Sequence, residues 1–150
     1  VVRLLKEKDM IVSTAESCTG GMLASTIVNV PGSSEVFKES IVTYSNQAKM
    51  KYLNVKKETL DNQGAVSEDT VIEMAKGLYN TTHADLCMAI SGIAGPTGGT
   101  KDKPIGLVHF GLLISGNMIT KHRVINGDRY MIRKRATIYA LNMIRKELVK

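Results

Sequence analysis

Asp85-Leu86-Cys87-Met88-Ala89-Ile90 carries five apolar residues in succession and stops at the glycine-rich stretch Ser91-Gly92-Ile93-Ala94-Gly95-Pro96-Thr97-Gly98-Gly99. A short continuous apolar run bounded by turn residues reads as a strand with no solvent face. Such a strand needs a covering layer on each side. That requirement points to a layered architecture with this strand in its interior.

The remaining patterns supply the layers. Val1–Lys8 reads as an amphipathic helix, and Ile11–Ala15 as a strand. A helix carrying Met22, Leu23, Ile27 and Val28 follows the turn Glu16-Ser17-Cys18-Thr19-Gly20-Gly21. A second strand spans Val36–Thr43, with short helices after it from Ser45 or Asn46 to Lys51 and over Lys56–Asp61. Ser67 can cap a longer helix whose apolar stripe is Val71, Ile72, Ala75, Leu78 and Tyr79. Ile105–Ile114 and Met118–Ile125 read as a hairpin turned by Ser115-Gly116-Asn117. Gly127-Asp128 opens the last helix. Helices that alternate with strands and end in a hairpin predict a three-layer α/β/α sandwich with a mixed, mostly parallel sheet. Ligands bind such sheets beyond the carboxyl ends of the strands.

The 150 residues suit one domain, with no linker or repeat. No apolar stretch is long enough to span a bilayer, and charges interrupt the first segment, so it is no signal peptide. Cys18 and Cys87 make no disulfide framework, which suits a reducing compartment, the cytoplasm. The chain opens on Val1 instead of Met, which suits a trimmed chain, an ordered portion or a piece of something longer. The net charge of +6 is concentrated in residues 121–150, which hold nine Lys/Arg and two Asp/Glu. A basic face can attract phosphate or nucleic acid, or be a solvated helix face. Five Tyr, two Phe and no Trp leave few platforms for stacking bases, which argues against nucleic acid.

One segment gathers hydrolase parts. Pro31-Gly32-Ser33-Ser34 is followed by Thr43-Tyr44-Ser45-Asn46-Gln47-Ala48-Lys49. A serine hydroxyl becomes a nucleophile when a base takes its proton, and a poorly solvated lysine is such a base. Tyr44 can relay the proton or stabilise the alkoxide. The same residues also suit a loop serine, a packed tyrosine and a surface lysine, and Ser33 rivals Ser34. Lys51 should face elsewhere. The turn Thr19-Gly20-Gly21 and the loop of Gly92, Gly95 and Gly98 can offer backbone N–H groups to an anion or oxyanion. Neither is a P-loop, because no Gly-Lys-Ser/Thr closes it. Arg129 can grip a phosphate or pair with Asp128. His83, His109 and His122 show no metal-ligand spacing.

Taken in order, six motifs resemble one family. They are Thr14-Ala15-Glu16-Ser17-Cys18-Thr19-Gly20-Gly21, Gly32-Ser33-Ser34, Val42-Thr43-Tyr44-Ser45-Asn46-Gln47-Ala48-Lys49, Gly64-Ala65-Val66-Ser67, Ser91-Gly92-Ile93-Ala94-Gly95-Pro96 and Gly127-Asp128-Arg129. Together they resemble the C-terminal domain of the competence/damage-inducible protein CinA, a family that includes nicotinamide-mononucleotide amidohydrolases. The resemblance implies hydrolysis of that carboxamide to nicotinate mononucleotide and ammonia, with Ser34 as nucleophile and Tyr44 and Lys49 activating it. It also implies a pyridine nucleotide as the partner, a homo-oligomer, no metal and no cofactor. Thr19, Gly20, Gly21, Ser33, Gly92, Gly95 and Arg129 are the expected substrate contacts. Two other functions compete: a non-catalytic nucleotide-binding or adaptor module, and a nucleic-acid-binding domain using the basic C-terminal helix.

Overall fold

The fully apolar strand lies at the centre of the sheet. In a computed structural model that describes residues 1–150, β3 (Leu86–Gly92) has its first six residues buried. β1 (Val12–Glu16), buried throughout, pairs with it on one side, and β4 (Leu107–Ile114) on the other. β2 (Phe37–Val42) and β5 (Asn117–Val124) are the edges, giving the order β2-β1-β3-β4-β5. β2, β1 and β3 are parallel, while β4 is antiparallel to β3 and to β5. The sheet is therefore mixed, and only β4 is reversed.

Both faces are covered, as the apolar run requires. On one side α1 (Val2–Glu7), α2 (Met22–Val28) and α6 (Arg129–Leu148) bury Leu5, Leu23, Ile27, Ala136, Ala140 and Ile144 against Met88, Ile90, Phe110 and Leu112. On the other, α3 (Asn46–Leu53), α4 (Lys57–Gln63) and α5 (Glu68–Thr82) pack Leu53, Leu60, Val71, Met74 and Leu78 against Ala15, Cys87 and Ala89. Burying one such aliphatic side chain contributes about 1.5–3 kcal/mol. Three of the helices start on side-chain caps: Ser45 accepts from Ala48 N–H, Ser67 from Thr70 N–H and Asp128 from Met131 N–H. Gly77 lets α3 come close to α5, since a Cβ there would meet the Leu53 carbonyl oxygen at 1.8 Å. No helix is long and apolar enough to cross a membrane.

Three local expectations shift. Tyr79 is 45% exposed and Ile72 half-buried, so the inner stripe of α5 runs instead through Thr70, Val71, Met74, Ala75 and Leu78. β2 ends at Val42, which leaves Tyr44 two residues beyond the sheet. α3 continues past Lys51 to Leu53, and Lys51 is exposed.

The connections locate the site. From β1 the chain passes through α2 to β2 on one side. It returns through α3, α4 and α5 to β3 on the other side. The carboxyl end of β1 is thus a topological switch point, where open α/β sheets form their ligand crevice.

Candidate active site

Residues 16–18 leave the carboxyl end of β1. Ser17 N–H donates to Ile90 O at 3.0 Å, which holds its backbone beside β3. Its side chain is 7% exposed. Lys49, one turn into α3, is 1% exposed, and is the largest fully buried side chain. Its Nζ donates to Ser17 Oγ at 3.0 Å and to Thr43 O at 2.8 Å. No carboxylate is bonded to it. Burial therefore lowers the amine to about 8, against the upward pull of the neighbouring Cys18. A hydroxyl beside a partly neutral amine, shielded from water, is an arrangement that can act as a nucleophile and its base.

The structure places Ser34 elsewhere. Ser33 and Ser34 form a short 3-10 helix (Ser33–Glu35) before the start of β2. Ser33 is buried there and Ser34 exposed, its carbonyl accepting from Lys38 Nζ. Tyr44 and Lys49 come after β2, whose parallel pairing with β1 puts them at the opposite end of the sheet. At about 3.3 Å per residue, the strand separates Ser34 from Tyr44 by roughly 20 Å. Within one chain, Ser34 and Lys49 do not meet. Ser17 occupies the position beside the amine.

Tyr44 is not bonded to Lys49 either. Its hydroxyl accepts from Arg129 Nη2 at 2.8 Å, and its ring is 61% exposed. Arg129 Nη1 donates to Gly95 O at 2.7 Å, so this guanidinium ties the loop after β3 to the segment after β2. These residues, with Ser17, Cys18, Asn46, Lys49, Ala65, Ser91 and Gly92, line an open cleft of about 290 Å³. A concavity of about 360 Å³ between α3, α4 and α5 offers no comparable pair. Its Glu73 is engaged by Lys56 N–H and Thr59 Oγ1.

The turn Thr19-Gly20-Gly21 does not present an empty cradle. Glu16, fully buried, accepts from Gly21 N–H and Leu23 N–H at 3.0 Å and from Ala24 N–H at 2.8 Å. An internal carboxylate thus fills the N-terminus of α2, the place where a substrate anion would otherwise bind. Thr19 is buried with its Oγ1 unpartnered. Arg133 spends its guanidinium on the same turn, donating to Cys18 O at 3.0 Å and Thr19 O at 2.8 Å. Glu16→Ala is expected to lower stability by about 3 kcal/mol, because three N–H groups at the start of α2, one buried and two partly buried, lose a charged acceptor. Urea denaturation checks this, and a loss below about 1 kcal/mol would contradict the capping role.

Two backbone donors beside Ser17 stay free. Cys18 N–H and Thr19 N–H donate to no backbone carbonyl. In strand–turn–helix hydrolases the amide after the nucleophile forms part of the oxyanion hole. The Cys18 thiol is pushed up to about 11 by burial, which keeps it protonated and a poor nucleophile. No group of three or more His, Cys, Asp or Glu is arranged to hold a metal.

Ser17, Glu16 and Arg133 were not among the expected site residues. The strand-to-turn position of Glu16-Ser17-Cys18 was the available signal for Ser17. Nothing local marks Arg133, which lies 115 residues from Cys18.

The comparisons agree with the fold. The model of the CinA C-terminal domain family matches residues 1–148. A CinA-like protein of Kosmotoga olearia is 54% identical over 149 residues, covering 99% of this chain and 36% of that protein. The chain thus spans about a third of the length of the curated relatives it matches. The crystal structure of the competence/damage inducible protein CihA from Agrobacterium tumefaciens superposes with a TM-score of 0.95 at 39% identity, covering 99% of this chain and 91% of the other. The competence damage-inducible protein A (ComA) of Klebsiella pneumoniae gives 0.95 at 37% identity, over 98% and 91%.

Proposed function

We propose, since the chain belongs to the CinA C-terminal domain family, that it hydrolyses the carboxamide of nicotinamide mononucleotide with Ser17 as nucleophile and Lys49 as general base. One observation carries this reading: the 3.0 Å contact between Ser17 Oγ and a buried, carboxylate-free Lys49 Nζ. The cleft supports the choice of substrate. Lys49 and Arg129 are in its lining and no Asp or Glu is, so it suits an anionic ligand.

The steps follow from the contacts. Neutral Lys49 accepts the Ser17 proton as Oγ attacks the carboxamide carbon. The carbonyl oxygen becomes an oxyanion and takes hydrogen bonds from Cys18 N–H and Thr19 N–H; one such donor contributes about 3 kcal/mol. Thr43 O holds the resulting ammonium in place. Lys49 then returns its proton to the departing nitrogen, the C–N bond breaks, and ammonia leaves an ester on Ser17. A water attacks this ester with Lys49 again as base. Nicotinate mononucleotide departs and the hydroxyl is restored. Tyr44 and Arg129 stand at the mouth and act on the substrate, not on the lysine.

The test is ammonia release from nicotinamide mononucleotide by the purified chain. Ser34→Ala is expected to keep the rate within about threefold, as exposed substitutions usually do. Loss of turnover in Ser34→Ala with full turnover in Ser17→Ala would instead reinstate Ser34, supplied from a second copy. Binding of nicotinamide mononucleotide with no ammonia released would favour the adaptor reading.

A further inference from the structure

The usual receptors for an anion near this cleft are already filled. Glu16 occupies the N-terminus of α2. Arg133 is turned onto Cys18 O and Thr19 O. Asp128 caps α6. Apart from Cys18 N–H and Thr19 N–H, which serve the oxyanion beside Ser17, the loop after β3 is the exception. Ile93 is fastened at both ends, its N–H to Leu107 O and its carbonyl to Gly106 N–H. Beyond it, the N–H groups of Ala94, Gly95, Thr97 and Gly98 donate to no protein atom. Ala94 and Gly95 are buried residues. N–H groups without protein partners in the wall of a cleft are available to an acceptor that a ligand brings.

The backbone conformation fits that role. Gly95 and Gly98 have φ of +72° and +87°. Glycines in this region let the backbone approach a ligand closely on either side of Pro96, which itself carries no N–H. Arg129 bonds Gly95 O from outside and adds positive charge against the same loop. No carboxylate opposes it in the cleft lining.

We propose that Ala94–Gly98 is the anion cradle of the cleft and receives the phosphate monoester of the substrate through backbone N–H groups. The identity of that substrate rests on the amidohydrolase reading; the cradle itself does not. β1 and β3 are neighbours, with Glu16 opposite Ile90. The loop therefore begins close to Ser17, and one ligand can reach both the nucleophile and the cradle.

The experiment uses the wild-type chain, labelled with ¹⁵N and titrated with inorganic phosphate. The amide protons of Ala94, Gly95, Thr97 and Gly98 are expected to move downfield and saturate, while those of Gly21, Leu23 and Ala24 stay put. Silence at residues 94–98, or shifts confined to other amides, overturns the cradle. A second measurement uses calorimetry on the Ser17→Ala protein. Nicotinamide mononucleotide is expected to bind at least about tenfold more tightly than nicotinamide riboside, and Gly98→Ala to remove most of that difference. Equal affinity for the two ligands, or equal weakening of both by Gly98→Ala, also overturns it. Phosphate shifts at residues 94–98 in a chain that releases no ammonia would uphold the cradle and sink only the amidohydrolase reading.

Discussion

Ser17→Ala is expected to lower ammonia release by about 10⁴-fold or more while the protein stays folded. The serine is the only hydroxyl bonded to Lys49 Nζ, so its removal leaves the amine without a proton to take. The stability effect should be small, within about 1 kcal/mol, because Lys49 keeps Thr43 O and a single side-chain bond is lost. Binding of nicotinamide mononucleotide should survive, since the loop after β3 and the cleft mouth are untouched. Steady-state turnover within tenfold of wild type would remove Ser17 from the mechanism.

Lys49→Met should abolish turnover to a similar degree, and the double variant Ser17→Ala/Lys49→Met should be no worse than either single one. Groups acting as one unit are not additive. Multiplied losses would mean that the two residues act in separate steps. The lysine also sets the pH dependence. Its neutral form is the base, and its amine lies near 8. The value of kcat/KM should therefore rise with pH and level off above about 8, a limb absent from any residual activity of Lys49→Met.

Stability carries the same signature with a definite sign. The folded amine is lowered from 10.5 to about 8, so between those values the unfolded chain binds more protons than the folded one. Wild type should gain stability relative to Lys49→Met as pH rises through this window, by at most about 1.4 kcal/mol per unit. Below about pH 8 the difference should be constant. Denaturation midpoints collected from pH 7 to 10.5 test this, and parallel curves for the two proteins would mean that the lysine is not held in a poorly solvated site.

Much of the fold was legible because it rests on local chemistry. The apolar run at 86–90 reads as a two-sided strand and is one. Ser67 reads as a cap and accepts from Thr70 N–H. Asp128 accepts from Met131 N–H at the helix start expected there. The misplaced details lie where several patterns overlap. Tyr79 has helical spacing with the inner stripe, yet it sits at the flank of α5 with its ring edge-on to His83.

The site was legible only by halves. A lysine base needs a poorly solvated site, and Lys49 is buried. The resemblance implies Ser34 as its partner, ten residues before Tyr44, but those ten residues include a whole strand, so the two do not meet within one chain. The glycine turn at 19–21 reads as open to an anion, but Glu16 reaches back to fill it. A carboxylate five residues away can cap a helix only if the turn folds it inward, and no spacing rule states that.

Periodicity, capping residues and the two-sided strand, all features within a few residues of one another, were enough in sequence to determine three layers, a mixed sheet and a crevice at its carboxyl edge. Which hydroxyl meets the buried amine, which donors are already satisfied and which remain for a ligand were decided only in three dimensions. The reason is that a parallel crossover returns distant segments to the same end of the sheet and sends near ones to opposite ends. Ser17 and Lys49 are 32 residues apart and in contact, whereas Ser34 and Tyr44 are close in the chain and divided by the length of β2.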